Sequence, residues 1–469
     1  MKLDPKQTDR AIGVLLASAA GDALGVPYEF GIRKLEGEPE QLGGGLGGIA
    51  PGQWSDDTEM ACAIAQVAAT GVDLRTSAAL DAIADGFLCW YADSPPDVGA
   101  QTRHVLRAAS PGVGSAARMT GVANHLHEQT GMTAGNGSLM RTGPVALAHL
   151  GDTAAITEAA RAVSGLTHAD PMAGDACVLW CLAIDRAVHT GELDLRPGLP
   201  HVDPAWAPLI DAAEAGDPSS FANNGWVVSA LQASWSALTH TTSLRDALIA
   251  AVGAGNDTDT VAAITGALGG ARYGSSAVPF AWRRRLHGWP GLRAHELAGL
   301  AVLTLNSGQP DAQGWPTGER LASYEGSATA VVPHPDDAGV LMGAVGALRP
   351  GVADAVVSLC RLGSTQVPLE GVPPEDHVEV RLIDMEDANL DAAAVMKDAA
   401  EAVRALRSEG KTVLLHCVHA ETRTPLVAAS YGALITGSTP SAALTRVLAV
   451  LPSARPRTSL RTALENRLS

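Results

Sequence analysis

The sequence predicts two domains of different fold class, a large all-α domain and a smaller α/β domain with a mostly parallel sheet. Helical periodicity of small and apolar residues covers residues 8–25 and, after a Gly- and Leu-rich loop at residues 42–52, nearly all of the chain from residue 55 to about residue 305. A polar stretch with Gly and Pro but no periodicity follows at residues 306–326, which we interpret as a linker. Short β-like runs then alternate with helical patterns, as in α/β domains. The predicted domains are therefore residues 1–305 and 327–469.

Length, composition and charge limit the functions open to the chain. Its 469 residues exceed what one core usually supports, and 46% hydrophobic with 18% charged residues is a globular composition. The formal net charge of −17 argues against a surface that neutralises many phosphates, so nucleic acid is not an expected partner. Aromatic residues make up only 4%, and Ala and Gly supply much of the bulk, which favours closely packed helices.

The sequence also indicates a compartment. Residues 1–6 lack the apolar core of a signal peptide. No stretch of about 18 residues is apolar and Gly-poor enough to predict a membrane span with assurance. The six cysteines lack the spacing of a disulfide framework. We therefore expect a cytoplasmic protein without a membrane partner.

The helices of the first domain are predicted from the spacing of small and apolar residues. Thr8 and Asp9 are suitable caps for the first of them. The predicted helices cover residues 8–25, 60–69, 78–91, 145–149, 154–164, 174–189, 225–238, 244–252 and 261–273. Alternating strand patterns are scarce between them, so this domain is predicted to be one helical body with long functional loops.

Two acidic clusters stand where predicted helices begin. Each combines paired Asp residues with hydroxyls: Ser55, Asp56, Asp57 and Thr58 in one, and Asp257, Thr258, Asp259 and Thr260 in the other. Helix capping explains one carboxylate in each cluster, and Asp56 with Glu59 has capping-box spacing. A second adjacent carboxylate would be repelled, and a cation relieves that repulsion. Because carboxylate and hydroxyl oxygens suit a hard divalent cation, the two clusters are predicted to share one metal site.

Several motifs, in this order, resemble the ADP-ribosylglycohydrolase family, of the dinitrogenase reductase-activating type. They are Gly21-Asp22-Ala23-Leu24-Gly25 with Glu29, Ser55-Asp56-Asp57-Thr58, Gly135-Asn136-Gly137-Ser138-Leu139-Met140-Arg141, Thr167-His168, and Asn256-Asp257-Thr258-Asp259-Thr260. The resemblance covers roughly residues 8–300. It implies an all-α fold and a centre of two Mg²⁺ ions, with Mn²⁺ as the alternative. The metal ligands that it implies are Ser55, Asp56, Asp57, Asp257, Asp259 and Thr260.

The resemblance also implies hydrolysis of the glycosidic bond of ADP-ribose. That reaction passes through an oxocarbenium-like centre and needs a nearby carboxylate and an oriented water. Glu29 is one candidate, as acid/base or as a carboxylate bridging the metals. Asp97 is the other, because Pro96-Asp97-Val98-Gly99 resembles a segment of the branch that acts on arginine-linked ADP-ribose.

A glycine-rich loop is the predicted pyrophosphate site, since glycines let backbone N–H groups approach phosphate closely. The predicted ligand-binding residues are Gly135, Asn136, Gly137, Ser138, Met140, Arg141 and His168. The sequence departs from the family pattern at two positions. Ser55 stands where Thr is usual, which keeps the hydroxyl, and Gly255-Asn256 replaces a frequent Gly-Gly pair.

The second domain is predicted from a change in pattern after the linker. Its β-like runs cover residues 328–332, 355–359 and 411–415, and its helical patterns cover residues 339–348, 391–407 and 424–435. Alternation of strands and helices predicts a mostly parallel sheet.

One loop of this domain has its own chemistry. Cys417 and Arg423 are the first and last residues of a predicted loop between a strand and a helix. At the start of a helix, the helix dipole and the loop N–H groups stabilise a thiolate, and an Arg guanidinium can bind two phosphate oxygens at once. This resembles the Cys-x5-Arg loop of protein tyrosine and dual-specificity phosphatases, with His416 before it and Thr424 after it. In that family Cys417 would attack phosphorus and Arg423 would hold the phosphoryl oxygens. An Asp would protonate the leaving group: Asp384, with Asp387 as runner-up.

Two residues of this loop depart from the family pattern. Ala420 stands where Gly is common in the family. Glu421 places a negative charge beside a loop that, by the resemblance, binds a phosphate dianion. The alternative for this domain is therefore a phosphate-binding module without turnover.

The sequence thus predicts a metal-dependent ADP-ribosylhydrolase joined to a phosphatase-like domain. The expected partners are an ADP-ribosylated protein or another ADP-ribose conjugate, and a phosphoprotein for the second domain. The alternative for the first domain is a hydrolase of a related nucleotide-ribose N-glycoside, with the same site and a different leaving group.

Overall fold

The computed structural model describes residues 3–321 and 324–466, which form two compact units. The unit that we call the helical unit comprises residues 7–278 and 285–309. The other, the sheet unit, comprises residues 1–6, 279–284 and 310–469.

The predicted linker, residues 306–326, is divided between the units at residue 310. Its second part is packed, because Trp315 and Leu321 are buried at 5% and 1% exposure. The Thr365 hydroxyl also donates to the Glu319 carbonyl at 2.9 Å. A few separated apolar side chains therefore anchor a stretch whose average composition is polar.

The helical unit is built almost entirely of α-helices, as predicted. They are α1 (Pro5–Gly25), α2 (Asp56–Ala68), α3 (Ser77–Ala92), α4 (Ala100–Ala108), α5 (Ser115–Thr130), α6 (Gly143–Ala148), α7 (Thr153–Gly165), α8 (Pro171–Thr190), α9 (Trp206–Ala215), α10 (Val227–Thr239), α11 (Leu244–Gly253), α12 (Thr258–Tyr273) and, after α13 (Phe280–Arg283) of the sheet unit, α14 (Ala294–Leu305). A short antiparallel hairpin pairs β1 (His287–Gly288) with β2 (Leu292–Arg293). The predicted ranges did not include α4, α5, α9 or α14; of these, α4 and α5 are largely polar and bury few residues.

Small residues bring α1 and α12 into backbone contact. A Cβ added to Gly13 would lie 2.4 Å from the Gly270 carbonyl oxygen, and one on Gly21 would lie 2.2 Å from that of Ala262. At the end of α1, a Cβ on Gly25 would lie 2.4 Å from the Cα of Asp259. The glycines therefore set how closely the two helices approach, and with it the position of the second acidic cluster.

The stretch Pro5–Gly31 also has the length and hydropathy of a membrane-spanning helix. Its apolar window is 100% buried inside the protein, which is what the central helix of a packed core requires. The apolar character of this stretch is therefore accounted for by the packing of α1.

The sheet unit contains a five-stranded sheet in the order β3-β4-β7-β5-β6. The strands are β3 (Val331–His334), β4 (Asp337–Ala344), β5 (Ala355–Ser358), β6 (His377–Glu379) and β7 (Val413–Cys417), and the helices that follow β6 are α15 (Ala392–Ser408), α16 (Arg423–Thr436), α17 (Pro440–Val450) and α18 (Thr458–Asn466). The β3–β4 pair is antiparallel and the other pairs are parallel, which confirms the mostly parallel sheet. The carboxyl ends of β7, β5 and β6 therefore lie side by side.

One helix prediction in this unit was wrong. Residues 339–348 form most of strand β4 and a short 3₁₀ turn, Val345–Ala347, rather than a helix. The stretch is a run of apolar and small residues, and such runs fit a buried strand as well as a helix. Pairing with β3 on one side and β7 on the other selects the strand.

Candidate functional site

Carboxylates from three segments meet at one end of the helical unit. Oxygens of Asp22, Asp57 and Asp259 lie within 4.8 Å of one another, and so do those of Glu29, Asp257 and Asp259. All of these residues are buried. Asp259 belongs to both groups, so the two predicted acidic clusters form one centre with Glu29 and Asp22 added to it. Two overlapping sets of oxygens suit a pair of neighbouring cations.

Hydroxyl groups complete the predicted ligand set. The Ser55 Oγ lies 2.8 Å from an oxygen of Asp22, 3.0 Å from one of Asp57 and 3.4 Å from one of Asp259. The Thr260 Oγ1 lies 3.4 Å from the Oδ2 of Asp57. A hydroxyl has one proton to donate, so the Ser55 oxygen faces more acceptors than it can satisfy. A cation at this position would satisfy the remaining carboxylate oxygens.

Asp22 holds the first acidic cluster in place. Its Oδ1 accepts from the Ser55 backbone N–H at 2.9 Å and from the Ser55 hydroxyl at 2.8 Å. Its Oδ2 accepts from the Thr58 N–H at 3.0 Å and the Thr58 hydroxyl at 2.6 Å. Asp22 therefore satisfies the first N–H groups of α2 from a neighbouring helix, which leaves the carboxylates of α2 itself available for other partners.

The electrostatics of the centre are those of crowded, buried carboxylates. Burial is the main cause that raises the pKa of each of Asp56, Asp57 and Asp259, and their acidic neighbours raise it further. Burial also raises the pKa of Asp22, to about 6, against the effect of its four hydrogen bonds. The Asp57 Oδ1 is buried and has no hydrogen-bond partner among the residues that the structure describes. Positive charge would relieve this repulsion and fill the open acceptor, so the residues fit divalent cations.

Glu29 and Asp97 occupy different positions relative to this centre. Glu29 is 6% exposed, and burial followed by the charges of Asp97 and Asp257 raises its pKa to about 8. Asp97 is half-buried, and burial raises its pKa while the Val98 N–H and Arg103 lower it. Asp97 also acts electrostatically on Asp56, which lies outside the two groups of converging oxygens. Glu29 is thus among the potential metal ligands, and Asp97 lies beside them nearer the solvent.

The glycine-rich loop contacts the acidic centre through Asn136. The Asn136 Nδ2 lies 2.8 Å from both the Asp257 Oδ2 and the Asn224 carbonyl oxygen. Gly135 forms an isolated bridge with Trp226 across the loop. The loop and the second acidic cluster are therefore one connected structure. Asn256, which replaces the frequent Gly of the family, has φ +57°, a conformation that Asn tolerates better than most residues.

Three of the predicted loop residues point into the protein. The Ser138 hydroxyl accepts from Ser164 at 2.9 Å in a buried position, and Met140 is 5% exposed. Arg141 is fully buried, 3.4 Å from the Met60 sulfur and 4.6 Å above the Phe87 ring. These side chains support the loop from below, and their contact with a ligand stays a prediction.

His168 faces the glycine loop in a defined protonation state. The Arg141 Nη2 donates to the Thr167 Oγ1 at 2.7 Å, and the Thr167 hydroxyl is hydrogen-bonded to the His168 Nδ1, also at 2.7 Å. Burial and then Arg141 lower the pKa of His168 to about 3, which favours the neutral ring. The His168 Nε2 would lie 3.2 Å from a Cβ built on Gly137, so this nitrogen faces the loop. It is a hydrogen-bond donor in the tautomer in which Thr167 donates to Nδ1.

The sheet unit brings Cys417 and Arg423 to the two ends of one loop. Cys417 ends β7 and is buried, and Arg423 begins α16. Ala420 has φ +58°, the left-handed conformation that explains why Gly is common at this position. The Arg455 N–H donates to the Glu421 carbonyl at 2.8 Å, and the Glu421 side chain is exposed. The negative charge of Glu421 therefore points away from the interior.

The guanidinium of Arg423 is held on one side only. Its Nη1 donates to the Leu359 carbonyl at 2.6 Å and to the Leu382 carbonyl at 3.2 Å. Its Nε is buried, and no residue in the described part of the chain accepts a hydrogen bond from it. An unsatisfied buried donor is unfavourable, and a bound oxyanion would satisfy it.

Buried hydrogen bonds fix the residue before Cys417. The Leu369 N–H donates to the His377 Nδ1 at 3.0 Å, so the proton of His377 is on Nε2, which faces the Ser358 Oγ at 2.9 Å. Ser358 then donates to the His416 Nε2 at 2.7 Å. His416 is therefore neutral and protonated on Nδ1, and burial followed by His377 lowers its pKa to about 3.

The predicted leaving-group acids are placed less favourably. Asp384 forms an ion pair with Arg457, whose Nε lies 2.7 Å from its Oδ1. Asp387, the runner-up, is exposed and has φ +54°. Neither side chain has a described hydrogen bond to the Cys417 loop, so Asp384 would have to leave Arg457 in order to act.

Sequence reasoning missed one carboxylate of the acidic centre, Asp22, and one buried carboxylate that acts on it electrostatically, Glu59. Asp22 belongs to a quoted motif but was given no role, although a charged residue in an otherwise small and apolar helix is itself a signal. Glu59 was considered only as a cap, yet it is buried and accepts from the Trp90 Nε1 at 2.5 Å. Burial raises the pKa of Glu59 to about 7.

Comparison with known proteins agrees with this arrangement over the helical unit. The sequence profile of the ADP-ribosylglycohydrolase family matches residues 3–312. The ADP-ribosylarginine hydrolase Tri1 of Pseudomonas putida (strain GB-1) is 31% identical over 295 residues, which are 60% of this chain and 75% of that protein. The ADP-ribosyl-[dinitrogen reductase] glycohydrolase of Rhodospirillum rubrum is 31% identical over 300 residues, which are 60% of this chain and 92% of that protein.

A solved structure described as an ADP-ribosylglycohydrolase-related protein complex superposes with a TM-score of 0.50 at 27% identity, over 65% of this chain and 99% of that one. The residues matched by the profile include the whole helical unit and its acidic centre. The chain belongs to the ADP-ribosylglycohydrolase family.

Proposed function

We propose that the helical unit removes ADP-ribose from arginine side chains of a modified protein. The observation that carries this proposal is the pair of overlapping carboxylate groups that share Asp259 and contact the glycine-rich loop through Asn136. The relatives named above support the substrate class, since one is an ADP-ribosylarginine hydrolase and the other acts on ADP-ribosylated dinitrogen reductase.

We further propose that two Mg²⁺ ions, or Mn²⁺ in their place, bind this centre. The residues that would hold them are Ser55, Asp56, Asp57, Asp257, Asp259 and Thr260, joined by Glu29. The support is an all-oxygen donor set, the unsatisfied Oδ1 of Asp57 and carboxylates whose burial raises their pKa. Bound cations would supply Lewis acids that orient the ribose hydroxyls and a water beside the anomeric carbon.

The protein's own groups would divide the remaining tasks. Backbone N–H groups of the glycine-rich loop would receive the pyrophosphate, with the His168 Nε2–H as an additional donor. Cleavage breaks the bond between the anomeric carbon and the arginine nitrogen, and a water oxygen bonds to that carbon. The leaving nitrogen gains a proton and the water loses one. Asp97 is our candidate for these transfers because it is half-buried and can exchange protons with solvent, whereas Glu29 is enclosed among the metal ligands.

The test is release of ADP-ribose from a protein modified on arginine, measured with Mg²⁺, with Mn²⁺ and with a chelator. We expect the chelator and the double variant Asp56→Ala/Asp257→Ala to abolish release, and Asp217→Ala, an exposed acidic residue of the same unit, to leave it unchanged. Full activity of the double variant would contradict the metal proposal. Conjugates linked through serine or a nucleobase, assayed beside the arginine conjugate, identify the acceptor, and turnover of the nucleobase conjugate alone would support the N-glycoside alternative.

For the sheet unit we propose a second activity, cysteine-dependent hydrolysis of phosphate monoesters. It is supported by the unsatisfied Nε of Arg423 at the mouth of a loop that begins at Cys417. In the first step the Cys417 thiolate sulfur bonds to phosphorus, the phosphorus–oxygen bond to the leaving group breaks, and that oxygen takes a proton from Asp384. In the second step water cleaves the sulfur–phosphorus bond and releases phosphate.

Hydrolysis of an aryl phosphate by the full chain tests this activity. We expect Cys417→Ser to remove it, and Cys89→Ser, at an exposed cysteine of the helical unit, to leave it unchanged. Arg457→Ala separates the roles of Asp384: a faster rate indicates that the ion pair restrains the acid. Equal rates for wild type and Cys417→Ser would contradict catalysis and favour the phosphate-binding module.

A further inference from the structure

We propose that the sheet unit binds a ligand with two neighbouring anionic groups, a phosphoryl group at the Cys417 loop and a second phosphoryl group at Arg361 and Arg381. This inference deepens the second activity proposed above, because it uses the same phosphoryl position. It concerns binding and does not require turnover.

The strand order brings the three arginines to one edge of the sheet. Arg423 follows the loop after β7, Arg361 follows β5, and Arg381 follows β6. Because β7, β5 and β6 are adjacent and parallel, their carboxyl ends share one edge. Nothing in the sequence places Arg361 near Arg423, since the pairing of β5 with β7 is what joins them.

Hydrogen bonds locate the guanidinium of Arg423 between the other two arginine-bearing segments. Its Nη1 bonds to the carbonyl of Leu359, close in sequence to Arg361, and to that of Leu382, the residue after Arg381. One side of the guanidinium is thereby bound to the ends of β5 and β6. The opposite Nε is buried and has no acceptor within residues 3–321 and 324–466.

The charges of the three residues affect one another. Burial, followed by Arg381 and then Arg423, lowers the pKa of Arg361 to about 10. Like charges that are this close are unfavourable unless anions neutralise them. A single phosphoryl group at the Cys417 loop would occupy Arg423, and a second anionic group would take the place that Asp311 holds at Arg361.

The structure contains an internal carboxylate that already occupies part of this subsite. Asp311 forms an ion pair with Arg361, whose Nη2 also donates to the Gln313 Oε1 at 3.0 Å and whose guanidinium lies 5.6 Å from the Trp315 ring centre. Arg381 donates from Nη2 to the Pro5 carbonyl at 3.1 Å. The side chains of Arg361 and Asp311 are 39% and 21% exposed, so solvent and ligands can reach the pair. An oxyanion therefore fits at Arg361, and an incoming phosphoryl group would exchange with Asp311.

Calorimetric titration of the full-length Cys417→Ser protein tests the proposal. The probes are inorganic phosphate, pyrophosphate and tripolyphosphate, used without divalent metal. We expect one of the longer anions to bind about tenfold more tightly than phosphate, because charge-assisted hydrogen bonds to a second phosphoryl group are added. Arg361→Ala and Arg381→Ala should remove that difference while leaving phosphate binding nearly unchanged. Arg404→Ala, on the exposed side of α15, is the matched control and should keep it.

Titration of the Arg423→Ala variant measures anion binding at other sites, including the glycine-rich loop of the helical unit. This background heat is subtracted from the titration of the Cys417→Ser protein. Equal affinities for all three anions, or a preference that persists in Arg361→Ala and Arg381→Ala, would overturn the second subsite. If the longer anion is preferred but the wild-type chain hydrolyses no aryl phosphate, the second subsite is supported and turnover is rejected.

The internal carboxylate gives an independent test. Asp311→Asn should strengthen binding of the preferred anion about threefold to tenfold, because the competitor for Arg361 is removed. The gain should disappear in Asp311→Asn/Arg361→Ala. Thermal unfolding checks that Asp311→Asn keeps the turn in which the Asp311 Oδ1 accepts from the Trp315 N–H at 3.0 Å. No gain in a folded Asp311→Asn protein would contradict exchange with Asp311.

Discussion

The two sites of this protein have opposite charge and are assembled in opposite ways. The centre of the helical unit collects buried carboxylates from segments far apart in sequence, and helix packing brings them together. The site of the sheet unit is a short loop between a strand and a helix, with arginines added by neighbouring strand ends. The first has excess negative charge that fits cations, and the second has unsatisfied donors that fit anions. Among the described residues, the crowded carboxylates of the first site and the unsatisfied Nε of Arg423 in the second are the features from which we infer the charge of each proposed ligand.

The strongest test of this contrast is Asp259→Asn. Asp259 belongs to both groups of converging oxygens, so we expect hydrolysis of ADP-ribosylarginine to fall by about three orders of magnitude. The chelated protein should at the same time become more stable, by about 1–3 kcal/mol, because one buried, repelled charge is gone. Asp73→Asn is the control, since Arg75 lowers the pKa of Asp73 to about 2 and this change removes an attractive pair. Hydrolysis assays with metal measure the first effect, and thermal unfolding with chelator measures the second. Destabilisation of the chelated Asp259→Asn protein would contradict the claim that this centre has an unfavourable excess of negative charge.

The next test concerns how the acidic centre is assembled. Gly25→Ala places a Cβ 2.4 Å from the Cα of Asp259 and should destabilise the helical unit by about 3 kcal/mol or more, with weaker metal binding. Gly253→Ala is matched, because both glycines end a helix and no atom lies within 4 Å of the added Cβ at Gly253. That variant should be neutral or slightly stabilised. Chemical denaturation with and without Mg²⁺ measures the difference, and equal stability of the two variants would show that the helices can separate without consequence.

The pH dependence of the metal-free protein is a third test. Burial raises the pKa of Glu29 from 4.5 to about 8 and that of Glu59 from 4.5 to about 7, so the folded state binds more protons than the unfolded state between these values. Stability should therefore fall as pH rises from 4.5 to 8. The melting temperature should drop by roughly 10 °C over this range, since each unit of pKa is worth about 1.4 kcal/mol. Saturating Mg²⁺ should flatten the profile. A melting temperature that rises with pH in the presence of chelator would contradict the charge balance described for this centre.

The smallest expected effect is in the Cys417 loop. Ala420→Gly should stabilise the sheet unit by about 1 kcal/mol, because Ala420 has φ +58° and Gly adopts this conformation without strain. Gly437→Ala is the reciprocal control: Gly437 has φ +67° in open space, so the substitution should destabilise by a similar amount. Denaturant unfolding of the sheet unit measures both. Destabilisation by Ala420→Gly would mean that the Ala420 methyl group makes packing contacts that outweigh the strain.

The acidic centre was largely predictable from sequence, because capping accounts for only one carboxylate of the Asp pair at each of the two helix starts. Asp22 was not given a role, since its contribution depends on the distance between α1 and α2. The burial of Arg141 could not be read from the sequence either, because a glycine-rich motif does not determine where its side chains point. Strand β4 was mistaken for a helix, since only its neighbours in the sheet distinguish the two. The phosphatase-like identity of the sheet unit stays a prediction.

The backbone contact between α1 and α12 has a consequence for how this enzyme can diverge. Where Gly13 meets Gly270 and Gly21 meets Ala262, no side chain separates the helices, so no substitution can bring them closer and any larger residue forces them apart. The spacing between the carboxylates that these two helices carry, Asp22 and Asp259, is therefore set by backbone contact, and we expect substitutions at the contact to disrupt this spacing rather than adjust it. Selection for a new acceptor would have to act on the partly exposed rim, at Asp97 and its loop, while the centre is inherited unchanged.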